Sequence, residues 1–307
     1  MQSAQSTANT SNQIKEETKI SKQERLFLNS VTSVYSRKAY SYFLHNYLGQ
    51  VGCHNLEQFL SRRPKEIEDE LIDFVISSKE KGMKRAAIFN YIKPVISCCK
   101  INDVAINTTK VRKFMPPNVK VKKSREYKPE EIKKLLDIAD ERLRAAILIL
   151  SSTGIRIGAL VGLRVGNLEK VEARENGELY KVTVYENEPE EYITFCTSEC
   201  KEKGIDPYLA MRERYGEVVN DSSPLIREQF HKRDPFSAAH PRHVKVIAIA
   251  GKLSALSEAA GLRTRLEQTK GMTGNRKDVP NCNGFRRFFS TQLVNSDVKT
   301  ELRWLMS

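Results

Sequence analysis

The chain has 307 residues, of which 40% are apolar and 29% charged, so it is long enough for two ordinary hydrophobic cores. Its 51 lysines and arginines outnumber 38 acidic residues, and the formal charge of +13 favours an anionic partner, nucleic acid before membrane. No apolar run approaches the ~20 residues that cross a bilayer, and no signal peptide is evident, so we expect a soluble cytoplasmic protein.

Six cysteines in a chain of this length do not indicate a disulfide scaffold, and we expect reduced thiols. Cys196 and Cys200 could form a zinc ligand set with His240 and His243, but the gap between the two pairs matches no common zinc spacing. Buried cysteines and surface histidines are the simpler interpretation. We therefore expect neither a metal nor any other cofactor.

Residues 1–22 are mostly small or polar, and we expect a flexible tail because such a segment cannot repay the entropy of ordering. From about Val31 to Gly49, apolar residues recur at helical spacing, with Arg37 and Lys38 on the opposite side. The predicted apolar stripe of this helix comprises Val34, Tyr35, Ala39, Tyr42, Phe43, Tyr47 and Leu48.

Two further helices complete the N-terminal part. One begins at Pro64 and stops at Gly82, with its apolar residues in a single stripe. The other covers KRAAIFNYIKPVISCCKIND, where Pro94 predicts a kink because its ring removes one backbone hydrogen bond. Residues 23–109 are therefore predicted to form a small all-helical domain.

The next segment is strongly basic. Between Lys110 and Lys128 there are eight basic residues and one acidic residue, and a Pro-Pro pair disfavours helix. We predict a linker over residues 110–127. It is either a solvated hinge or a basic strap suited to a protein that encircles a duplex.

Residues 128–307 are predicted to form a second domain of mixed structure. PEEIKKLLDIADERLRAAILILSSTG predicts one long helix, which Gly154 ends. The segments LYKVTVY and EYITFCT predict two strands of a hairpin around the turn ENEPEE. Later helices are predicted over HVKVIAIAGKLSALSEAAG and GFRRFFSTQLVNSD. The predicted fold class is mainly α with a small β-hairpin or sheet, that is, α+β.

Two arginines are candidates for binding phosphate. Arg156 follows a glycine turn at the start of an apolar helix, where its planar guanidinium could donate to two phosphate oxygens at once. An exposed arginine, or one paired with a carboxylate, is an equally good interpretation. Arg286 lies on the same helical side as Phe289, whereas Arg287 steps round the helix. Neither residue is specific by itself.

Together the two segments are specific. TGIRIGALVGLR resembles the first arginine box of the tyrosine recombinase (integrase) family and NGFRRFFSTQL resembles its second, with the intervening hairpin in the expected order. The resemblance covers the chain from about residue 25, and EEYITFCTSEC and GFRRFF are closest to integrase-like proteins of archaea and their viruses. It implies a helical core-binding domain over 23–109 and a catalytic domain over 128–307, which clamp DNA between them.

The resemblance also implies a chemistry and partners. In the family a tyrosine attacks a DNA phosphodiester, and Arg156 and Arg286 would stabilise the charge that grows on its nonbridging oxygens. The implied partners are double-stranded DNA, in the nucleoid of a prokaryotic host, and other protomers that assemble as a tetramer on DNA. The residues expected to contact DNA are Arg37, Lys38, Lys84, Arg85, Lys120, Lys122, Lys123, Arg125 and Arg287.

The sequence departs from the family pattern at two positions. Asn283 stands where the family has a histidine that exchanges a proton; an amide can donate to phosphate but gives no acid–base help, which is worth ~10²–10⁴ in rate. The hairpin turn normally presents a lysine, but here it carries Pro189 among four glutamates. Lys181, on the preceding strand, is the candidate substitute, and the acidic turn is expected to be a solvated loop.

The resemblance places a nucleophilic tyrosine well after Arg286, whereas Tyr208 and Tyr215 lie before it and the sequence ends at RWLMS. We therefore expect this chain to end before its nucleophile and to be inactive alone. Three functions stay open: a recombinase when complete, an inactive DNA-binding integrase remnant, or a helical scaffold whose basic surface binds RNA or acidic proteins.

Overall fold

The structure, a computed structural model, divides into two compact units, Met1–Val121 and Lys122–Ser307. The residues that it describes are 21–53, 55–118, 124–173, 177–263 and 277–296. Among them, no helix combines the length and the apolar character that a bilayer crossing requires.

The described part of the first unit is helical throughout. Polar side chains start several of its helices: the oxygens of Ser21, Ser33 and Asn55 accept hydrogen bonds from backbone N–H groups of the first turn. The helices are α1 (Lys22–Asn29), α2 (Val34–Gln50), α3 (Leu56–Leu60), α4 (Pro64–Glu80), α5 (Arg85–Ile101) and α6 (Thr108–Lys113). Their inner faces form one apolar core.

Helix α2 lies where it was predicted, but only the second half of its predicted apolar stripe is buried. Leu44, Tyr47 and Leu48 are buried, whereas Tyr35 is 85% and Tyr42 62% exposed. The predicted stripe is therefore wrong in its first half. Aromatic residues lie on several faces of α2, so its packing against α5, rather than its own spacing, decides which of them are covered.

The ends of the predicted linker belong to the compact units. Within 110–127, α6 continues to Lys113 with Val111 buried, and Lys110 Nζ lies 2.7 Å from Glu68 Oε1. Tyr127, at the other end, is fully buried and stacks on Phe285 in the second unit. The segment is therefore anchored by apolar side chains at both ends, which its high charge obscured in the sequence.

The second unit packs helices around a small antiparallel sheet. Its elements in chain order are α7 (Pro129–Ile138), α8 (Glu141–Thr153), α9 (Ile157–Gly162), β1 (Leu168–Ala173), β2 (Gly177–Val184), β3 (Tyr192–Phe195), α10 (Ser198–Cys200), α11 (Asp206–Arg214), α12 (Pro235–Ala239), α13 (Val246–Ala259) and α14 (Asn281–Asn295). The strand order is β1-β2-β3. The predicted hairpin is β2 and β3, and the predicted α+β fold class is confirmed.

Two features of this unit differ from the sequence prediction. The single long helix is two, because Ala139 is extended and the Asp140 carboxylate accepts from Leu143 N at 2.7 Å, which starts α8 anew. Strand β1 was not predicted, since its segment LEKVEA is charged and only half-buried. Most residues of α8 are buried, and this helix runs through the centre of the core.

Candidate active site

The site begins at the turn that follows α8. Gly154 ends that helix in the left-handed conformation, with φ of 65°, and its N–H donates to Leu150 O at 3.2 Å. Ile155 is buried, and Arg156 then occupies the N-cap position of α9 with its side chain exposed. The chain therefore presents Arg156 at the surface, directly after a buried turn.

Helix α14 packs against this turn and brings the second arginine to it. Arg286 Nη1 donates to Gly154 O at 2.7 Å, across 132 positions of sequence. Phe289, one helical turn further on, packs so closely that a Cβ atom at Gly154 would overlap its ring. Gly154 is therefore required twice, by its positive φ and by the close approach of α14.

Strand β3 reaches the same turn from another side. Thr194 Oγ1 donates to Thr153 O at 3.2 Å, and both threonines are fully buried. Side chains two residues apart in a strand point to the same face of the sheet, so Tyr192 lies on the face of Thr194. Both pair with residues of β2 that face the core.

The charges of both arginines influence the Tyr192 phenol. Burial raises the pKa of its phenol, whereas the guanidinium of Arg286, through a hydrogen bond and its charge, and that of Arg156, through its charge, lower it. Both arginines therefore act electrostatically on the Tyr192 phenol, and the Arg286 bond to Gly154 O brings that arginine to the turn before Arg156. Sequence reasoning did not select Tyr192, although its spacing from Thr194 in a predicted strand placed it on the same face.

The other predicted residues of α14 lie beside the site. Asn283 is in the first turn of the helix, exposed and three residues before Arg286, so the two share one side. Arg287 is exposed, and its Nη1 donates to Ser124 O. Asn283 thus lies on the Arg286 side of α14, while Arg287 also connects the chain at Ser124 to α14.

The structure does not bring Lys181 to the arginines. Lys181 pairs with Phe195 and Glu169 in the sheet, on the face opposite to Tyr192 and Thr194, and its Nζ lies 2.6 Å from Glu169 Oε2. The acidic turn is exposed throughout residues 186–191. The catalytic role of Lys181 stays a prediction, and its position on the outer face argues against it.

The predicted DNA-contacting residues that the structure describes belong to both units. In the first unit Lys38 is exposed and Lys84 half-buried, and two arginines donate to backbone carbonyls: Arg37 Nη2 to Val31 O at 3.0 Å, and Arg85 Nη1 to Pro116 O at 3.0 Å. In the second unit Arg125 forms ion pairs with Glu131 and Asp278. Lys120, Lys122 and Lys123 lie outside the described residues.

The cysteines and histidines considered for zinc do not meet. Cys196 and Cys200 are buried, His240 and His243 are exposed, and His243 Nδ1 contacts Val161 O at 3.0 Å. Within the described ranges, no three metal-ligating side chains cluster.

Comparison with known proteins identifies the fold. Neither a protein-family model nor a curated protein matches the sequence. Among solved structures, the chain is similar to the site-specific recombinase XerH bound to difH substrate (TM-score 0.59, 15% identity, 89% of this chain and 73% of that one). It is also similar to the Tn1549 transposon integrase in complex with circular intermediate DNA (0.56, 14%, 92% and 90%). A third is a lambda integrase tetramer bound to a Holliday junction (0.55, 13%, 92% and 74%). At these identities the likeness establishes the tyrosine recombinase fold.

Proposed function

We propose that this protein binds duplex DNA as a site-specific tyrosine recombinase does, with one backbone phosphate held between Arg156 and Arg286. The observation that carries the proposal is that Arg286, from α14, donates to the carbonyl of Gly154, in the turn that presents Arg156 at the start of α9. The effect of both arginines on Tyr192 supports it.

This arrangement suits the chemistry of phosphodiesters. Each guanidinium carries a fixed charge and several donors in one plane, which match the nonbridging oxygens of a phosphate. Negative charge grows on those oxygens when the phosphorus is attacked, and donors that are already in place stabilise it without rearrangement of solvent. The net charge of +13 supports the same partner, because it attracts a polyanion over the whole surface.

The structural neighbours extend the proposal. They include recombinases bound to their DNA substrates and a tetramer on a Holliday junction. We infer that this chain, too, binds DNA together with further copies. The sequence phrases EEYITFCTSEC and GFRRFF support a place in an archaeal or viral mobile element, and hence at the nucleoid of a prokaryotic cell.

The salt dependence of duplex binding tests the phosphate contact. Removal of one arginine–phosphate contact should reduce the slope of log K against log salt by about one. Arg156→Ala and Arg286→Ala should each do so, whereas Arg214→Ala, which removes the same charge at the exposed end of α11, should change the slope less. Equal slopes for all three variants and the wild type would contradict the proposal.

A second candidate function is DNA binding without strand cleavage. Asn283 and Pro189, at positions where the family pattern has a histidine and a lysine, favour it. Nicked duplexes that trap a covalent protein–DNA adduct separate the two functions. An adduct formed by the wild type and absent in Arg156→Ala would establish the recombinase chemistry and eliminate the binding-only function.

A further inference from the structure

Tyr192 is held at the site by its strand and not by a flexible side chain alone. Its backbone pairs with Val184, which is fully buried, and two residues later Thr194 is bonded to the turn before Arg156. The Tyr192 ring lies half-buried, with its centroid 6.2 Å from that of Tyr185. The hairpin therefore fixes the place from which the Tyr192 side chain extends, two residues from the bond to the turn before Arg156.

The phenol has a hydrogen-bond donor left to give. A guanidinium has no acceptor, so the interaction of Arg286 with this phenol leaves the O–H proton to be donated elsewhere. Because burial outweighs the two positive charges, the pKa of Tyr192 is raised above the ordinary value of 10 and the group is protonated at neutral pH. A phosphate oxygen placed between the arginines lies within reach of such a donor.

We propose that Tyr192 is a third phosphate-contacting residue of this site, and that its phenolic O–H donates a hydrogen bond to the DNA phosphate held by Arg156 and Arg286. This inference rests on the proposed function. Tyr192 supplies this donor from the hairpin of β2 and β3. In the turn of that hairpin the family pattern has a lysine, whereas this chain has Pro189. The donor is neutral, which gives it a signature different from that of an arginine.

Binding of a short duplex to Tyr192→Phe measures this contact. A hydrogen bond to a charged group is worth enough that its removal should weaken binding by about ten- to a hundredfold. The salt slope should stay that of the wild type, because a phenol releases no counterion. Tyr215→Phe, a half-buried tyrosine at the end of α11, is the matched control and should bind as the wild type does.

The outcomes separate this inference from the proposed function. Unchanged affinity in Tyr192→Phe, with reduced slopes in both arginine variants, would overturn the role of Tyr192 and leave the arginine contact standing. Weaker binding in Tyr192→Phe with unaltered slopes in the arginine variants would overturn the arginine clamp and, with it, a phenol contact to the phosphate of that clamp. Tighter binding in Tyr192→Phe would show that the phenol obstructs the site, and would overturn the inference.

A measurement on the wild type needs the Tyr192→Phe variant only to assign one resonance. Tyrosine labelled with ¹³C at Cζ reports the hydrogen bonding of each phenol, and comparison with Tyr192→Phe assigns the Tyr192 resonance. Addition of the duplex should shift that resonance, since the O–H changes its acceptor to an anionic oxygen. A Tyr192 resonance that the saturating duplex leaves in place would overturn the inference.

Discussion

Arg212 and Arg227 lie inside the second unit, whereas Arg156 lies on its surface at the site. The two buried arginines, 0% and 3% exposed, share the carboxylate of Glu217, which is also buried. Arg212 Nη1 donates besides to Pro224 O at 2.9 Å and Leu225 O at 3.1 Å. Both guanidinium groups therefore bond within the fold, and they hold the chain after α11 against the core.

Arg156 has the same donors and a different setting. Over the described ranges its side chain makes no ion pair or hydrogen bond with another residue, and it is exposed at the start of α9. The comparison shows that the acceptors supplied by the fold, and not the residue type, decide whether an arginine stabilises the protein or is available to bind a phosphate. Four substitutions test how far burial and internal bonds determine the contribution of a residue to stability, from the largest expected effect to the smallest.

The largest effect is expected at Glu217. Glu217→Gln removes the one carboxylate that two buried guanidinium groups share, and a buried charge without its partner costs about 3–5 kcal/mol. Urea unfolding at neutral pH measures this decrease in stability. Glu169→Gln, which breaks the exposed pair with Lys181, is the control and should cost less than about 1 kcal/mol. Similar decreases for both variants would contradict the role of burial.

The next effect is expected at Gly154, which lies between the buried core and the site. Gly154→Ala forces a Cβ atom into the Phe289 ring and a side chain into the left-handed region, with an expected cost of about 2–5 kcal/mol. Gly177→Ala has nearly the same φ, 67°, but open space around it, so it should cost only about 1–2 kcal/mol. Equal unfolding midpoints would show that α14 does not depend on this close approach.

Glu131 forms a partly buried ion pair with Arg125. Burial alone would raise the pKa of its carboxyl, but hydrogen bonds from Arg125 and from the N–H of Lys128 lower it below the ordinary 4.5. The lowered pKa means that the ion pair stabilises the fold fully above pH 4.5 and that this stabilisation disappears as the pH falls through the folded-state value. Glu131→Gln should cost about 0.5–1 kcal/mol at pH 7 and nothing in strong acid, as measured by urea unfolding across pH. A pH-independent difference would contradict it.

The smallest effect on stability is expected at Arg156. Arg156→Ala removes no hydrogen bond or ion pair within the described residues, and the unfolding free energy should change by less than about 0.5 kcal/mol. Its consequence should appear in the salt dependence of duplex binding instead. A decrease in stability as large as that of Glu217→Gln would mean that Arg156 is a structural residue. It would then not differ in role from the buried Arg212 and Arg227.

Local patterns in the sequence determined much of this molecule. Helical spacing and caps located α4, α5 and α14, and β-rich segments located β2 and β3, because these elements depend on residues close together in the chain. The glycine turn before Arg156 was visible for the same reason. Strand β1 was missed because a half-exposed, charged strand has little apolar alternation.

Only the tertiary structure decided the composition of the site. Arg286 meets the Gly154 carbonyl across 132 positions, β3 carries Tyr192 to the turn before Arg156 because Thr194 bonds to Thr153, and Lys181 is on the other face of the sheet. The same holds for α2, where packing against α5 chose the buried face. Periodicity fixes the direction of a side chain relative to its own element, but the partner of that face is set by contacts between segments far apart in the chain.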